Sequence, residues 1–245
     1  MKIIKADDYQ SWYIENSNKS ILIDPWLSNQ MQPSNSFFIQ RFSDISHKID
    51  NESIKKINCV ILTAPFEDHL NLETLKSLPS DIPIYTTKFI KFLIKKKVKN
   101  PIRVFAKEGL IINDLKIVSV PTGFPYSGST IALLIKDKIG NKVFHEGHVV
   151  NLGFIKKNSI KADTAILTVD QTKLLGFIKL GMNEQKVLEA CNYLECKNLF
   201  ITGNNPEDTE GFISNFLTVK KTNMNKINKK VNVFSRAGAT LDIST

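Results

Sequence analysis

The sequence predicts an α/β fold: a four-layer αββα sandwich, two mixed β-sheets packed face to face with helices outside. Three observations carry that expectation. Short β-rich runs separated by turn residues dominate the first half, at 2–5, 11–15, 20–24, 58–63, 82–86, 102–105, 115–120 and 129–136, at the intervals expected of a packed sandwich. Helical patterns interrupt them at 71–78, where Leu72, Leu75 and Leu78 recur at spacing three, and at 88–97. The second half repeats the theme, with strands at 142–146, 164–169, 198–202 and 231–235, a last strand near 241–243 and a helix at 183–195. Two β-rich halves, each carrying helices, fit this architecture.

Each element has a local reason. Cys59-Val60-Ile61-Leu62 is apolar and β-branched enough for a strand covered on both faces, and Thr63 to His69 leaves it as a short turn. In 88–97, Ile90, Leu93 and Ile94 form one stripe with Phe89 at its edge. The lysines fall elsewhere, as on a solvated helix face rather than a membrane or polyanion patch. Asn183 is a good N-cap for the helix at 183–195, with Glu184 in the first turn and Val187, Leu188, Cys191 and Leu194 as its apolar stripe. Lys220, Lys221, Lys226, Lys229 and Lys230 lie in an asparagine-rich stretch that reads as a mobile surface loop, a contact for an acidic partner. Between 28 and 57 a polar run precedes Phe37-Phe38-Ile39, either a cover over a cleft beside Asp68-His69 or an insertion whose aromatics cap the core. No short repeat is present, which argues against a solenoid.

Bulk properties narrow the function classes. A chain of 245 residues can bury a full core, and residues 1–245 are expected to form a single domain. No apolar run of about 18 residues could span a membrane, and Met1-Lys2-Ile3-Ile4-Lys5 leads straight into Asp7-Asp8 without a signal-peptide core, so a cytoplasmic protein is expected. Cys59, Cys191 and Cys196 read as buried or inert thiols of a reducing compartment. The net charge is +9, yet only Arg41, Arg103 and Arg236 among the 33 basic residues are arginine. Nucleic-acid surfaces lean on arginine, so no sequence-specific nucleic acid is expected and the partner is a small-molecule substrate or ligand. The chain does not fix an oligomeric state.

The motifs point further. The stretch Leu62-Thr63-Ala64-Pro65-Phe66-Glu67-Asp68-His69 resembles the loop of the metallo-β-lactamase superfamily, a strand followed by Thr-His-x-His-x-Asp-His, with Ala64 and Phe66 at the two leading histidine positions. Trp12 to Glu15 and Ile21-Leu22-Ile23-Asp24-Pro25-Trp26-Leu27 resemble its opening hairpin. Val143-Phe144-His145-Glu146-Gly147-His148 is similar to the strand that ordinarily ends in Gly-Asp, with His148 in place of the aspartate, and Ala162 to Leu167 resembles the strand that comes next. Gly181-Met182-Asn183 and Leu199 to Asn204 resemble the last helix-strand unit of the sugar-lactonase-like branch, without the histidine expected near Gly203. This order of segments is similar to a degenerate subset found in cyanobacteria and plastid-bearing lineages. The resemblance implies the αββα fold over nearly the whole chain and an altered metal site.

Three of the four histidines, His69, His145 and His148, fall inside these segments, and His47 lies in the polar insertion. Zinc or a similar divalent metal needs nitrogen or oxygen donors at about 2.0 to 2.2 Å, and three donors plus water make an open, reactive site. Asp68, His69 and His148 are the expected triad. Alternation along a regular strand would put Glu146 on the face of His148 and turn His145 away, so Asp68 and Glu146 are the expected catalytic pair. With donors missing at Ala64, Phe66 and Gly203, the site is expected to hold at most one metal. Phe66, Thr122, Tyr126 and Thr202 are candidate substrate contacts. Gly123-x₄-Gly128 lacks the residues of a phosphate-binding loop, and Ser127 lacks a nucleophile elbow. The expected function is hydrolysis of a small ester, lactone or phosphate-type substrate. The alternative is an inactive relative that binds a ligand or protein, with Asp68 and His69 capping the next helix and His148 a buried, hydrogen-bonded residue.

Overall fold

A computed structural model of the chain describes residues 1–28, 40–41, 47–112, 114–202 and 209–243. Two seven-stranded mixed sheets carry the architecture. The first runs in spatial order Thr240–Asp242, Lys2–Lys5, Trp12–Asn16, Lys19–Ile23, Ile57–Ile61, Ile84–Thr86 and Ile102–Val104. It is antiparallel up to Lys19–Ile23 and parallel beyond. The second runs Asn232–Phe234, Asn198–Thr202, Thr164–Thr168, Lys142–His145, Ile131–Lys136, Leu115–Pro121 and Leu110–Ile112, with its first four strands parallel and the rest antiparallel.

Side-chain alternation turns these sheets into four layers. Ile21, Ile23, Cys59 and Ile61 of the first sheet meet Leu133, Ile135, Val143, Ile166 and Phe200 of the second, all fully buried. Their neighbours Leu22, Val60 and Leu62 point the other way, onto Leu75 of helix Leu72–Ser77 and Ile90 and Ile94 of helix Lys88–Ile94. On the far side Phe144, Ala165, Leu167 and Leu199 pack against Ile155 of helix Leu152–Lys157 and Val187, Ala190 and Leu194 of helix Glu184–Leu194. Both faces of each sheet are covered, which is why its parallel strands read as unbroken apolar runs. Each fully buried aliphatic side chain contributes about 1.5 to 3 kcal/mol. Asn183 caps its helix as expected, its side chain accepting from Lys186 N at 2.9 Å.

Several elements depart from the sequence reading. The stretch read as a mobile lysine-rich loop carries regular structure: its first residue ends strand Leu217–Lys220, and helix Met224–Asn228 is fixed by fully buried Ile227. Lys226 there pairs with Glu184 at 3.0 Å. Strands Gln171–Leu174, Ile178–Lys179 and Leu217–Lys220 build a small third sheet that the sequence did not announce, because its residues are mixed polar and exposed and lack a clean period. Helices Asn51–Lys55 and Leu152–Lys157 are too short to show a full apolar stripe. Phe37-Phe38-Ile39 and Gly203 lie outside the described residues.

Two loops end at one place. Ile131 donates its N–H to the Thr63 carbonyl at 3.0 Å, and a Cβ added to Gly147 would stand 2.1 Å from the Ile131 carbonyl oxygen. The turns that follow strands Ile57–Ile61 and Lys142–His145 are thereby held together at the start of strand Ile131–Lys136.

Candidate metal centre

His69 reaches the site from a tight turn. Its N–H and that of Leu70 both donate to the Phe66 carbonyl, at 2.9 and 2.8 Å. The helix that follows is capped by Asn71, whose side chain accepts from Thr74 N at 2.8 Å. The helix end that the capping alternative gives to Asp68 and His69 is bonded by Asn71, and both side chains belong to the donor cluster described below.

The His69 ring is fixed from behind. Its Nδ1 lies 2.6 Å from Asp24 Oδ2, and Asp24 also accepts from Thr63 N at 2.7 Å and from Thr63 Oγ1 at 2.5 Å. Burial pushes the Asp24 carboxyl above its ordinary range, while His69 and then Thr63 pull it back. With Nδ1 facing a carboxylate, the ring presents Nε2 to the cluster. Asp68 Oδ2 stands 3.9 Å from that atom.

His148 arrives by a different route from the one strand alternation suggests. The strand stops at His145, Gly147 adopts φ +59° and His148 itself φ +106°. Alternation no longer governs side-chain direction past His145, because both residues lie in the left-handed half of backbone space. The ring of His148 ends 4.3 Å from that of His69, 5.0 Å from Phe66, and stacks on Tyr126 at 4.6 Å with planes 17° apart.

Asp68, His69 and His148 thus bring three donor atoms within 4.8 Å of one another. Two donors about 2.0 to 2.2 Å from one ion at the tetrahedral angle stand roughly 3.4 Å apart, so the cluster fits a divalent ion after a contraction of up to about 1.4 Å. Among the described residues no other group of three acidic, histidine or cysteine side chains is so arranged.

The remaining sequence-predicted residues lie around this centre. Glu146 is buried, accepts from Thr168 N and is outside the donor cluster; burial holds its carboxyl well above the usual range, opposed by the Thr168 bonds and by Lys186. Thr202 Oγ1 pairs with Thr168 Oγ1 at 2.7 Å, on that same side. Thr122 is buried, its hydroxyl 3.0 Å from Thr130 Oγ1, while Tyr126 and Phe66 touch His148. Ala64 is fully buried, and Phe66 is 37 % exposed beside the histidines. His145 points between the sheets toward Trp12, and burial drives its pKa down to about 3, so it is a neutral core residue. His47 is half-buried and outside the cluster.

Asp24 and Thr63, which hold the His69 ring, are the site residues that sequence reasoning does not single out. Their signal is the carboxylate in Asp24-Pro25-Trp26, a segment whose motif resemblance points to the fold.

Two face-to-face mixed sheets, outer helices and a histidine-aspartate cluster beyond the strand ends define the class of metallo-β-lactamase-fold proteins. The chain belongs to the family described as β-lactamase superfamily domain, which residues 4–201 match. Similar solved structures include the isothiocyanate hydrolase from Delia radicum gut bacteria, with a TM-score of 0.76 and 17 % identity over 100 % of both chains. A protein of Veillonella parvula DSM 2008 described as a possible metal-dependent hydrolase gives 0.72 and 16 % over 96 % of this chain and 99 % of that one. The metallo hydrolase Igni18 of Ignicoccus hospitalis gives 0.61 and 16 % over 98 % and 97 %. At such identities the likeness is one of fold. No curated protein sequence is significantly similar to the chain.

Proposed function

We propose that residues 1–245 form a single-domain, metal-dependent hydrolase with a degenerate centre of at most one metal, acting on a small ester, lactone or phosphate-type substrate. One observation supports this above the others: three donors converge at Asp68, His69 and His148 while Asp24 fixes the His69 ring from behind. A carboxylate behind an imidazole is how metal sites set the tautomer of a ligand, and orienting partners of this kind are as necessary as the ligands themselves.

A divalent ion such as zinc supplies Lewis acidity and activates water near neutral pH. Asp68 is donor and proton acceptor in this reading. Phe66 and Tyr126 wall the centre and keep bulk water from it, with Thr122 and Thr202 as further substrate contacts. For Glu146, expected from sequence to be catalytic, we propose a positioning role: its bond to Thr168 N anchors the residue two before His148. Membership of the sugar-lactonase-like branch, and kinship with the cyanobacterial and plastid subset, rest on the order of the motifs. Three buried cysteines without a disulfide accord with a cytoplasmic setting.

A second reading is an inactive relative whose cleft serves as a binding module. Ala64 and Phe66, apolar where histidines stand in the superfamily motif, support it. Elemental analysis decides between them. The natural chain is expected to carry one zinc-like ion at most and His148→Ala none, because two donors hold an ion poorly against water. Ala64→His with Phe66→His is expected to raise the capacity toward two. Two ions in the natural chain refute the mononuclear site; none in any of the three proteins supports the inactive relative.

A further inference from the structure

Beside the candidate centre, against the small third sheet, lies a pocket of about 500 Å³. That volume is in the range that holds organic ligands. Phe124, Val149, Phe177 and Ile178 supply its apolar wall, and Lys179 and Lys186 its charge; no carboxylate of the described residues lines it. Phe124 and Phe177 are 81 % and 72 % exposed, two aromatic faces left in water on the lining of one pocket. Neither lysine makes an ion pair among the described residues.

Lys186 is half-buried in the first turn of helix Glu184–Leu194. Burial lowers its pKa and Glu146 opposes that shift. An anion meeting a partly desolvated ammonium gains more than it would on an open surface, because solvent screens the pair less.

Chain neighbours connect the pocket to the donors. Val149 follows His148 directly, and Gly181, also in the lining, follows Leu180, whose carbonyl accepts from Tyr126 Oη at 3.1 Å. The same Tyr126 ring stacks on His148. Tyr126 therefore ties His148 to the chain that runs into the pocket lining at Gly181.

We propose that this pocket binds the non-reacting part of the substrate, and that this part is an organic anion: a carboxylate for Lys179 and Lys186 on an aliphatic or aryl body that lies against Phe124, Phe177 and Ile178. The proposal deepens the hydrolase reading by naming a substrate class, and it rests on that reading only for placing the reacting bond past Tyr126. Binding itself needs no metal.

The test uses the full chain in the presence of a chelator, with octanoate as probe and 1-octanol as its neutral counterpart. Amide shifts at Val149, Ile178 and Gly181 on titration with octanoate are expected, with 1-octanol binding at least about tenfold more weakly. Lys186→Gln is expected to weaken octanoate about tenfold and to leave 1-octanol unchanged, and Lys179→Gln repeats the measurement at a residue outside the helix. Equal affinity for the two probes, shifts elsewhere in the chain, or octanoate binding unaltered in the Lys179→Gln and Lys186→Gln double variant would overturn it. Zinc content is measured separately, so octanoate binding by a chain that takes up no zinc upholds the pocket while the hydrolase reading fails.

Discussion

Asp24 and His69, 45 residues apart in sequence, meet at 2.6 Å between Oδ2 and Nδ1 in a fully buried contact. Asp24 is held in turn by Thr63, and its own carbonyl accepts from Ser11 Oγ at 3.0 Å, whose hydroxyl also accepts from Trp26 N at 2.9 Å. The residue sits at φ +46°, so its backbone is pinned by these bonds in a conformation few side chains adopt. Rigid support of this kind keeps the His69 ring aimed.

Asp24→Asn should weaken metal binding about 10- to 100-fold while leaving the chain folded, because the amide cannot stabilise the His69 tautomer as a carboxylate does. Competition against a chelator of known affinity measures it. Zinc affinity equal to that of the natural chain would show that His69 needs no orientation.

Gly147→Ala should cost about 2 to 4 kcal/mol of stability. Its φ is +59°, and the new Cβ would meet the Ile131 carbonyl oxygen at 2.1 Å. Since that carbonyl belongs to the residue bonded to Thr63, the displaced turn should also carry His148 away from His69. Denaturant unfolding and zinc uptake on the same sample check both effects, and an unshifted midpoint contradicts the close approach.

The pH dependence of stability should carry the mark of Asp7. Its carboxylate is fully buried, accepts from Tyr9 N and Ser11 N, and has a pKa raised to about 6, chiefly by burial. The folded chain then holds this proton more tightly than the unfolded one, so stability falls as pH rises from about 4 to about 6. Above that window the ionised group costs about 3 kcal/mol. Asp7→Asn can keep both backbone bonds and donate to Ser11 Oγ, so it should gain on the natural chain as pH rises and level off above pH 6. Paired unfolding curves at pH 4 and pH 7 measure the difference; a constant gap between the two proteins sinks the assignment.

Nucleic-acid affinity should be weak and electrostatic. The basic surface is almost all lysine, without the aromatic-arginine stripe that gives stacking. Binding to duplex DNA should fade between low and moderate salt, and tight, salt-resistant binding to one sequence is the contrary result.

The sequence by itself determined the αββα fold and the membership of three donors in one site. Apolar strand runs such as 59–62 and the amphipathic stripe Ile90, Leu93, Ile94 are local patterns, and local patterns survive in one dimension. Asp68, His69 and His148 were legible because the residue types that can hold a metal are few and stood in the expected motif positions. Tertiary structure alone decided which groups work on those donors. Asp24 behind His69, Tyr126 against His148, and the pocket closed by the segment at 171–181 all join residues tens of positions apart. The strand reading places Glu146 and His148 on one face; positive φ angles at Gly147 and His148 turn His148 off that face, while Glu146 bonds Thr168. Backbone conformation beyond a strand end is set by what the turn packs against, here the Ile131 carbonyl, and no residue pattern along the chain encodes that contact.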